Sequence, residues 1–435
     1  MIIEPLKPGS WITRERARLW SLALLAASLC GLVFLVATSD GLNDYQGRPL
    51  GTDFSNIYAG GTYVLDGQPG TAFDPPSQHA RQQMIFGKDT PFYGWCYPPF
   101  LLFVAAALAL LPYAGALFVW QASTLLLYLS MLWGVFRFSP SRESDGQTLS
   151  RDRLWLLLAV AFPAVFVNLG HGDNGFLTAA LIGVALLVLD RRPIVAGILF
   201  GLMSYMPQFG VMIPLVLVVT GRWQAFVSAG ATVLVLTAIS TLAFGADVWR
   251  MMIDALPFTR EVVLEQGGTG WHKIQSVFSW ARMWGGSVAS AYAAQAAVTV
   301  ALGAALAWLW RSDAGYRLKA AALPIASILA TPYSLDYDLM ALAPSVTFLA
   351  VEGYERGFRP YEKTALAFLW LMPLVARTGP DAHPAGRSLD DSRPAADLAA
   401  SGCRNRRVWS VEIGGSPAKV APCSRGVLHS PSSRD

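Results

Sequence analysis

Eleven apolar stretches nearly free of charge, separated by short segments bearing Arg and Lys, constrain this chain more than any other feature. They fall at residues 19–38, 116–136, 154–169, 175–189, 194–206, 209–219, 225–244, 290–310, 320–330, 339–351 and 364–376. About 20 apolar residues cross a bilayer as a helix, because a helix satisfies its own backbone where no water can. The pattern therefore predicts an all-α polytopic membrane protein with about ten or eleven transmembrane helices. Composition agrees: only 14% of residues are charged, against about 25% in soluble domains. The first run follows Lys7, Arg14, Arg16 and Arg18. A signal peptide is the alternative, but the run is long for one and no A-x-A site follows, so a retained anchor is expected.

Basic loops orient such a chain, since Lys and Arg stay on the cytoplasmic side. The N-terminal cluster, then Arg137, Arg142, Arg151 and Arg153, then Arg191 and Arg192, Arg222, Arg311, Arg317 and Lys319, and Arg356, Arg359 and Lys363 form one consistent inner set. That parity holds only if the apolar segment 98–112 does not cross, and if 194–219 is two short crossings broken at Pro207. The former is short for a span, and a re-entrant or interfacial helix is expected there. The remaining loops, 39–97, 170–174, 207–208, 245–289 and 331–336, then share the outer face. They carry most of the unusual polar and aromatic residues. The net charge of +4 lies in these short topogenic clusters, so no nucleic-acid partner is expected. The four cysteines lack metal or disulfide spacing, and neither a metal nor a cofactor is expected.

Several outer segments carry candidate chemistry. Asp53 lies soon after the first helix; a carboxylate near the bilayer surface usually faces a polar cavity, although an N-cap is the simpler role. Ile57, Gly61, Val64 and Leu65 recur at helical spacing after it, which suggests a helix lying in the interface. Tyr97 precedes paired prolines and can line a sugar or lipid site, or anchor the interface. In the turn 168–175, glycines suit a tight connection, but His171, Asp173 and Asn174 together suggest a lined site; Asp173 capping the next helix is the alternative. The long loop supplies Arg260, His272 and Lys273, cations suited to a phosphate through charge-assisted hydrogen bonds, or to lipid headgroups. Asp336 and Asp338 sit where one helix ends and another starts. They can bind a metal or position a sugar hydroxyl if Asp336 is still in the loop, because residues two apart do not share a helix face. Otherwise Asp336 is an N-cap.

In order, these pieces resemble glycosyltransferase family 87, a branch of the GT-C membrane glycosyltransferases. The matching residues are Asp53-Phe54 with Tyr58-Ala59-Gly60-Gly61 and Gly67; Tyr97-Pro98-Pro99 with Leu110-Leu111-Pro112 and Trp120; Gly170-His171-Gly172 with Asn174-Gly175; Ala196-Gly197, Gly201-Leu202 and Pro207; and Thr331-Pro332-Tyr333 with Asp336 and Asp338. The resemblance implies a GT-C-like fold with a long first outer loop bearing interfacial helices. It implies an inverting transferase that moves a hexose, with mannose favoured, from a polyprenyl-phosphate donor to a lipid or glycan acceptor on the outer face of the cytoplasmic membrane. Asp53 would match the family's catalytic acid of the first loop. Tyr97, His171, Asp173, Asn174, Gln208, Asp336 and Asp338 would bind substrate, and Arg260, His272 and Lys273 the donor phosphate.

Two positions depart from the expected pattern: Met206 stands where a Lys would precede Pro207, and Asp173 where a Gln would stand. A lipid-linked sugar transporter or a catalytically impaired scaffold are the rival readings; a transporter would favour internal repeats, and none is evident. The catalytic domain is expected over 1–376. From 377 to 435 the chain is rich in Arg, Ser, Pro and Gly without apolar periodicity, and a disordered or aberrant tail is expected there.

Overall fold

The computed structural model describes residues 6–138, 153–268 and 270–377. They belong to one compact unit, Met1–Pro384. The expected tail, beyond its first residue Arg377, lies outside the described residues, as do Arg142 and Arg151.

The described chain is all-helical and contains no strand. Four helices are long and apolar enough to cross a membrane: α1 (Arg14–Ala37), α5 (Tyr113–Arg137), α11 (Trp223–Phe244) and α14 (Val288–Arg311). α6 (Arg153–Val160) and α7 (Pro163–His171), bent by 46°, are apolar enough to cross only when taken together as one broken span. One straight helix was expected there; Pro163 has no N–H to donate and cannot continue the ladder of α6. Among the described residues, α8 (Gly175–Val188), α9 (Pro193–Leu202) and α10 (Met212–Val219) are shorter apolar helices, and α15 (Tyr316–Ala330), α16 (Leu342–Arg356) and α17 (Glu362–Arg377) follow, with charged residues at their ends.

These helices run between two chemically distinct ends. At one end the basic loops meet. Arg222 pairs with Asp190, and Arg191 lies over the Phe138 ring. Arg311 donates to the Val219 carbonyl, Arg317 and Arg356 both pair with Glu352, and the Tyr361 N–H bonds the Lys7 carbonyl. The start of α5 lies about 37 Å away by helix rise, where the Tyr113 hydroxyl bonds the Leu50 carbonyl at 2.5 Å.

The break at Pro207 is a true reversal. Cβ atoms added at Gly197 and Gly201 would strike Ala225–Ser228 and Ala229–Thr232 respectively. Thus α9 and α11 run parallel in close contact through small residues, and α10 must carry the chain back between them. Two 3-10 turns, Met203–Tyr205 and Pro207–Phe209, make the reversal.

The segment around residues 98–112 does not span. Its helix, α4 (Leu101–Ala109), has 9 residues, about 13 Å by helix rise, against a hydrocarbon core of about 30 Å. It packs against α2 (Thr52–Leu65), with α3 (Pro75–Phe86) alongside. α2 is covered by protein on the face that carries the stripe: Phe54, Ile57 and Gly61 are buried, and Leu65 is exposed. At the end away from the basic loops the strongly amphipathic helix is α12 (Asp247–Phe258), which exposes Ile253 and Leu256 and is followed by a wider π-type turn, Thr259–Glu265. A short helix, α13 (Val277–Met283), leads into α14.

Candidate active site

Asp53 enters the site from the first turn of α2. Gly51, in the left-handed region at φ 73°, starts that helix without a side-chain cap. Asp53 is therefore released from capping, and its Oδ2 lies 3.1 Å from His171 Nδ1. The Thr52 hydroxyl is 2.7 Å from the same nitrogen. Thr52, Asp53 and His171 thus converge from segments far apart in sequence.

The turn carrying His171 is seated by contacts that need its glycine. Gly172 has φ 69° and ends α7, and a Cβ there would stand 2.6 Å from Phe54 Cβ. Trp120 donates to the Gly172 carbonyl, while Gln121 donates to the Asn168 and Leu169 carbonyls. α5 thereby satisfies the open end of α7.

Asp173 is fully buried and does not cap α8 through that helix's N-cap position, which Asn174 holds. Tyr97 Oη donates to Asp173 Oδ1 at 3.4 Å and accepts from Asn174 Nδ2 at 3.0 Å. The network extends through Thr178 to the hydroxyl of Tyr205, 2.7 Å away at the Pro207 reversal. Burial pushes the Asp173 carboxyl well above the usual carboxylate range, and the charges of Asp53 and Asp338 add to the effect. Burial likewise raises Asp338, to about 7.

Asp336 and Asp338 open a 3-10 turn, Asp336–Ala341. Asp338 Oδ2 accepts from the Leu335 N–H at 2.8 Å, and Asp336 Oδ1 from the Tyr337 N–H. Both carboxylates therefore serve the turn locally. Asp338 acts electrostatically on Asp173, alongside Asp53. Among the described residues, no group of three or more His, Cys, Asp or Glu is placed to hold a metal ion.

The long loop reaches this centre through backbone pairing: Ile274 bridges to Leu335, and the Gln275 N–H bonds the Ser334 carbonyl at 2.6 Å. That pairing sets His272 and Lys273 beside the segment leading to Asp336. Lys273 is exposed, while His272 is half-buried. Arg260 stands further off, exposed, and pairs with Glu265 at 3.2 Å and Glu261 at 3.7 Å. It borders an apolar groove of about 500 Å³ with Ile253, Leu256, Pro257, Leu264 and Tyr333. Tyr333 also lies within electrostatic reach of Asp53, Asp173 and Asp338, so it joins groove to carboxylates.

Gln208 is not gathered in by any contact of this kind. Its amide meets the Met206 sulfur at 3.2 Å, within the reversal itself. Sequence reasoning left Thr52, Gln121, Tyr205 and Tyr337 out of the site. Gln121 carried a signal, a polar residue inside an apolar helix. The other three gave none, because their roles come from partners distant in the chain.

The profile of glycosyltransferase family 87 matches residues 95–332, more than half the chain. The chain belongs to glycosyltransferase family 87. The matched region holds Tyr97, the His171–Asn174 turn and the Arg260–Lys273 loop; Asp53 and the Asp336–Asp338 turn flank it. The chain is also 25% identical over 212 residues to the polyprenol-phosphate-mannose-dependent alpha-(1-2)-phosphatidylinositol pentamannoside mannosyltransferase of Mycolicibacterium smegmatis (strain ATCC 700084 / mc(2)155). The match covers 48% of each protein, so the chain spans about half the length of this curated relative. No solved structure matches it.

Proposed function

We propose that this family 87 member transfers a hexose, mannose by analogy with its relative, from a polyprenyl-phosphate donor to a lipid or glycan acceptor. The observation that carries the reading is the half-buried Asp53–His171 contact at 3.1 Å, at the end of the molecule away from the basic loops and beside the buried Asp173 and Asn174. Asp53 takes the proton of the acceptor hydroxyl as its oxygen attacks the anomeric carbon. The bond from that carbon to the phosphate oxygen breaks on the opposite side, and the electron pair leaves with the phosphate. His171, with its proton on Nδ1, donates to the Asp53 carboxylate and holds its orientation. Lys273 and His272 meet the leaving phosphate, stabilising charge as it develops. Arg260 joins them by exchanging one of its glutamate partners, and the apolar groove beside it accommodates the first isoprene units. The catalytic domain is residues 1–376.

Purified protein given radiolabelled polyprenyl-phosphate mannose and a lipid extract should form a labelled glycolipid and release polyprenyl phosphate. Movement of intact donor across a vesicle membrane without cleavage would instead establish a transporter. Binding of the donor with neither cleavage nor movement would establish a scaffold.

The basic end lies in the cytoplasm and the site faces outward, by the positive-inside rule. In a cysteine-free background, cysteines at the exposed positions Gln68 and Gly268 should react with an impermeant thiol reagent in intact cells. Those at the exposed positions Arg191 and Asp313 should react only after permeabilisation. Labelling at Asp313 from outside would invert the proposed orientation.

A further inference from the structure

Asp173 is a carboxyl group in surroundings that do not suit a carboxylate. It is fully buried in the turn between α7 and α8. The titratable groups acting on it are Asp53 from α2, Asp338 from the 3-10 turn and Tyr97 from the loop ahead of α4. Asp173 in turn acts on Tyr337 within that 3-10 turn, on Tyr333 ahead of it and on Tyr205 at the Pro207 reversal. The nearby His171 is engaged with Asp53 and Thr52. Among the described residues, no Lys or Arg acts on Asp173. Burying a charge without a counterion is far more costly than burying a neutral, hydrogen-bonded acid.

Two hydrogen bonds reach the carboxyl and favour its ionised form, but burial and the charges of Asp53 and Asp338 outweigh them. Asn174 Nδ2 has only protons to give, so Tyr97 Oη accepts from it and donates its own proton to Asp173 Oδ1. The Asn174 backbone N–H also serves the carboxyl. Oδ2 is buried and meets no hydrogen-bond partner among the described residues. A carboxylic acid carries one O–H donor, and Oδ2 is the oxygen left to carry it. An unmatched buried donor is costly, and Asp53 stands within electrostatic reach, so a polar ligand bound at Asp53 would be the group to satisfy it.

We propose that Asp173 works as an uncharged acid, whose Oδ2–H donates to the hexose of the lipid-linked donor and positions that sugar at Asp53. The role is positioning, not proton abstraction, and the ligand class rests on the glycosyltransferase reading above. As pH rises through the ionisation of Asp173, the donor hydrogen is lost and a third negative charge joins Asp53 and Asp338, so sugar affinity falls.

The test uses the full-length protein in detergent, with Asp173→Asn and Asp173→Leu beside wild type. Infrared difference spectra at neutral pH should show a protonated-carboxyl carbonyl band that Asp173→Asn removes. Affinity for polyprenyl-phosphate mannose should fall about threefold in Asp173→Asn, which still donates through its amide. It should fall tenfold or more in Asp173→Leu, consistent with losing a hydrogen bond worth about 1.5 kcal/mol or more. Wild-type affinity should weaken at alkaline pH, while that of Asp173→Asn stays level. Absence of the protonated band, equal loss in both variants, or a wild type that does not bind the donor overturns the proposal. A wild type that binds with the expected pattern but transfers no sugar sinks only the glycosyltransferase reading.

Discussion

Asp53→Asn is expected to lower sugar transfer by about 10²–10⁴-fold, the usual contribution of a general base, while donor affinity and yield of folded protein change little. The amide keeps the size of the carboxylate and can still meet His171 Nδ1, now 3.1 Å from Oδ2. It cannot accept the proton of an attacking hydroxyl. Asp53 is not an N-cap and holds no backbone group of α2 through its side chain, so its loss should not unseat the helix. Single-turnover transfer at saturating donor separates this from a binding defect: the chemical step should slow with the dissociation constant unchanged. Near-normal turnover in Asp53→Asn, with Asp338→Asn inactive, would move the base to the 3-10 turn. His171→Asn should cost less, since the carboxylate remains.

Gly61→Val is expected to cause a comparable loss without touching the chemistry directly. A Cβ at residue 61 would stand 2.1 Å from the Ala105 carbonyl oxygen and 2.5 Å from its carbonyl carbon. Both belong to the backbone of α4, which cannot swing aside as a side chain can. Overpacking typically costs 1–3 kcal/mol, and α2 has to move away from α4 to relieve it. Asp53 and Thr52 travel with α2, whereas His171 is fixed to α5 through the Gln121 and Trp120 bonds. A misplacement of about 1 Å can cost 10²-fold in rate. The measurable pattern is a lower detergent Tm together with at least a 10²-fold drop in transfer. Gly67→Ala, whose added Cβ meets nothing within 4 Å, is the control that should lose far less activity, despite a backbone strained by its φ of 74°. Unchanged transfer in Gly61→Val would mean that the α2–α4 contact does not position the site.

The class of fold was legible because it depends on counting. A run of apolar residues can only be buried in lipid or protein, and the alternation of such runs with Arg and Lys assigns each loop to an end. The basic clusters indeed meet at one end, from Lys7–Tyr361 to Arg222–Asp190. The same counting showed that the segment around α4 is too short to span and that Pro207 divides a hairpin. It failed where one residue breaks a long run, as Pro163 does between α6 and α7, and where a helix is buried on several sides. The stripe Ile57, Gly61, Val64 and Leu65 has helical spacing but does not say which face meets protein; α4 and α3 decided that by covering α2.

Most candidate site residues could be named from the chain, because a charge or a His next to an apolar run needs a reason to be there. Their relations could not. Asp53 and His171 are 118 positions apart, and nothing local in either segment records that the two will meet. Arg260 read as a free cation, yet Glu261 and Glu265 hold it in ion pairs. Asp173 read as a site-lining residue or a helix cap, yet full burial beside two other carboxylates gives it the character of a neutral acid. Hydropathy and charge order are properties of the linear chain, and they set the helices, their ends and the side on which the chemistry collects. Distance, burial and protonation belong to pairs of residues that only packing brings together, so the tertiary structure alone decided which carboxylate holds a histidine, which closes a turn and which is left to carry a proton.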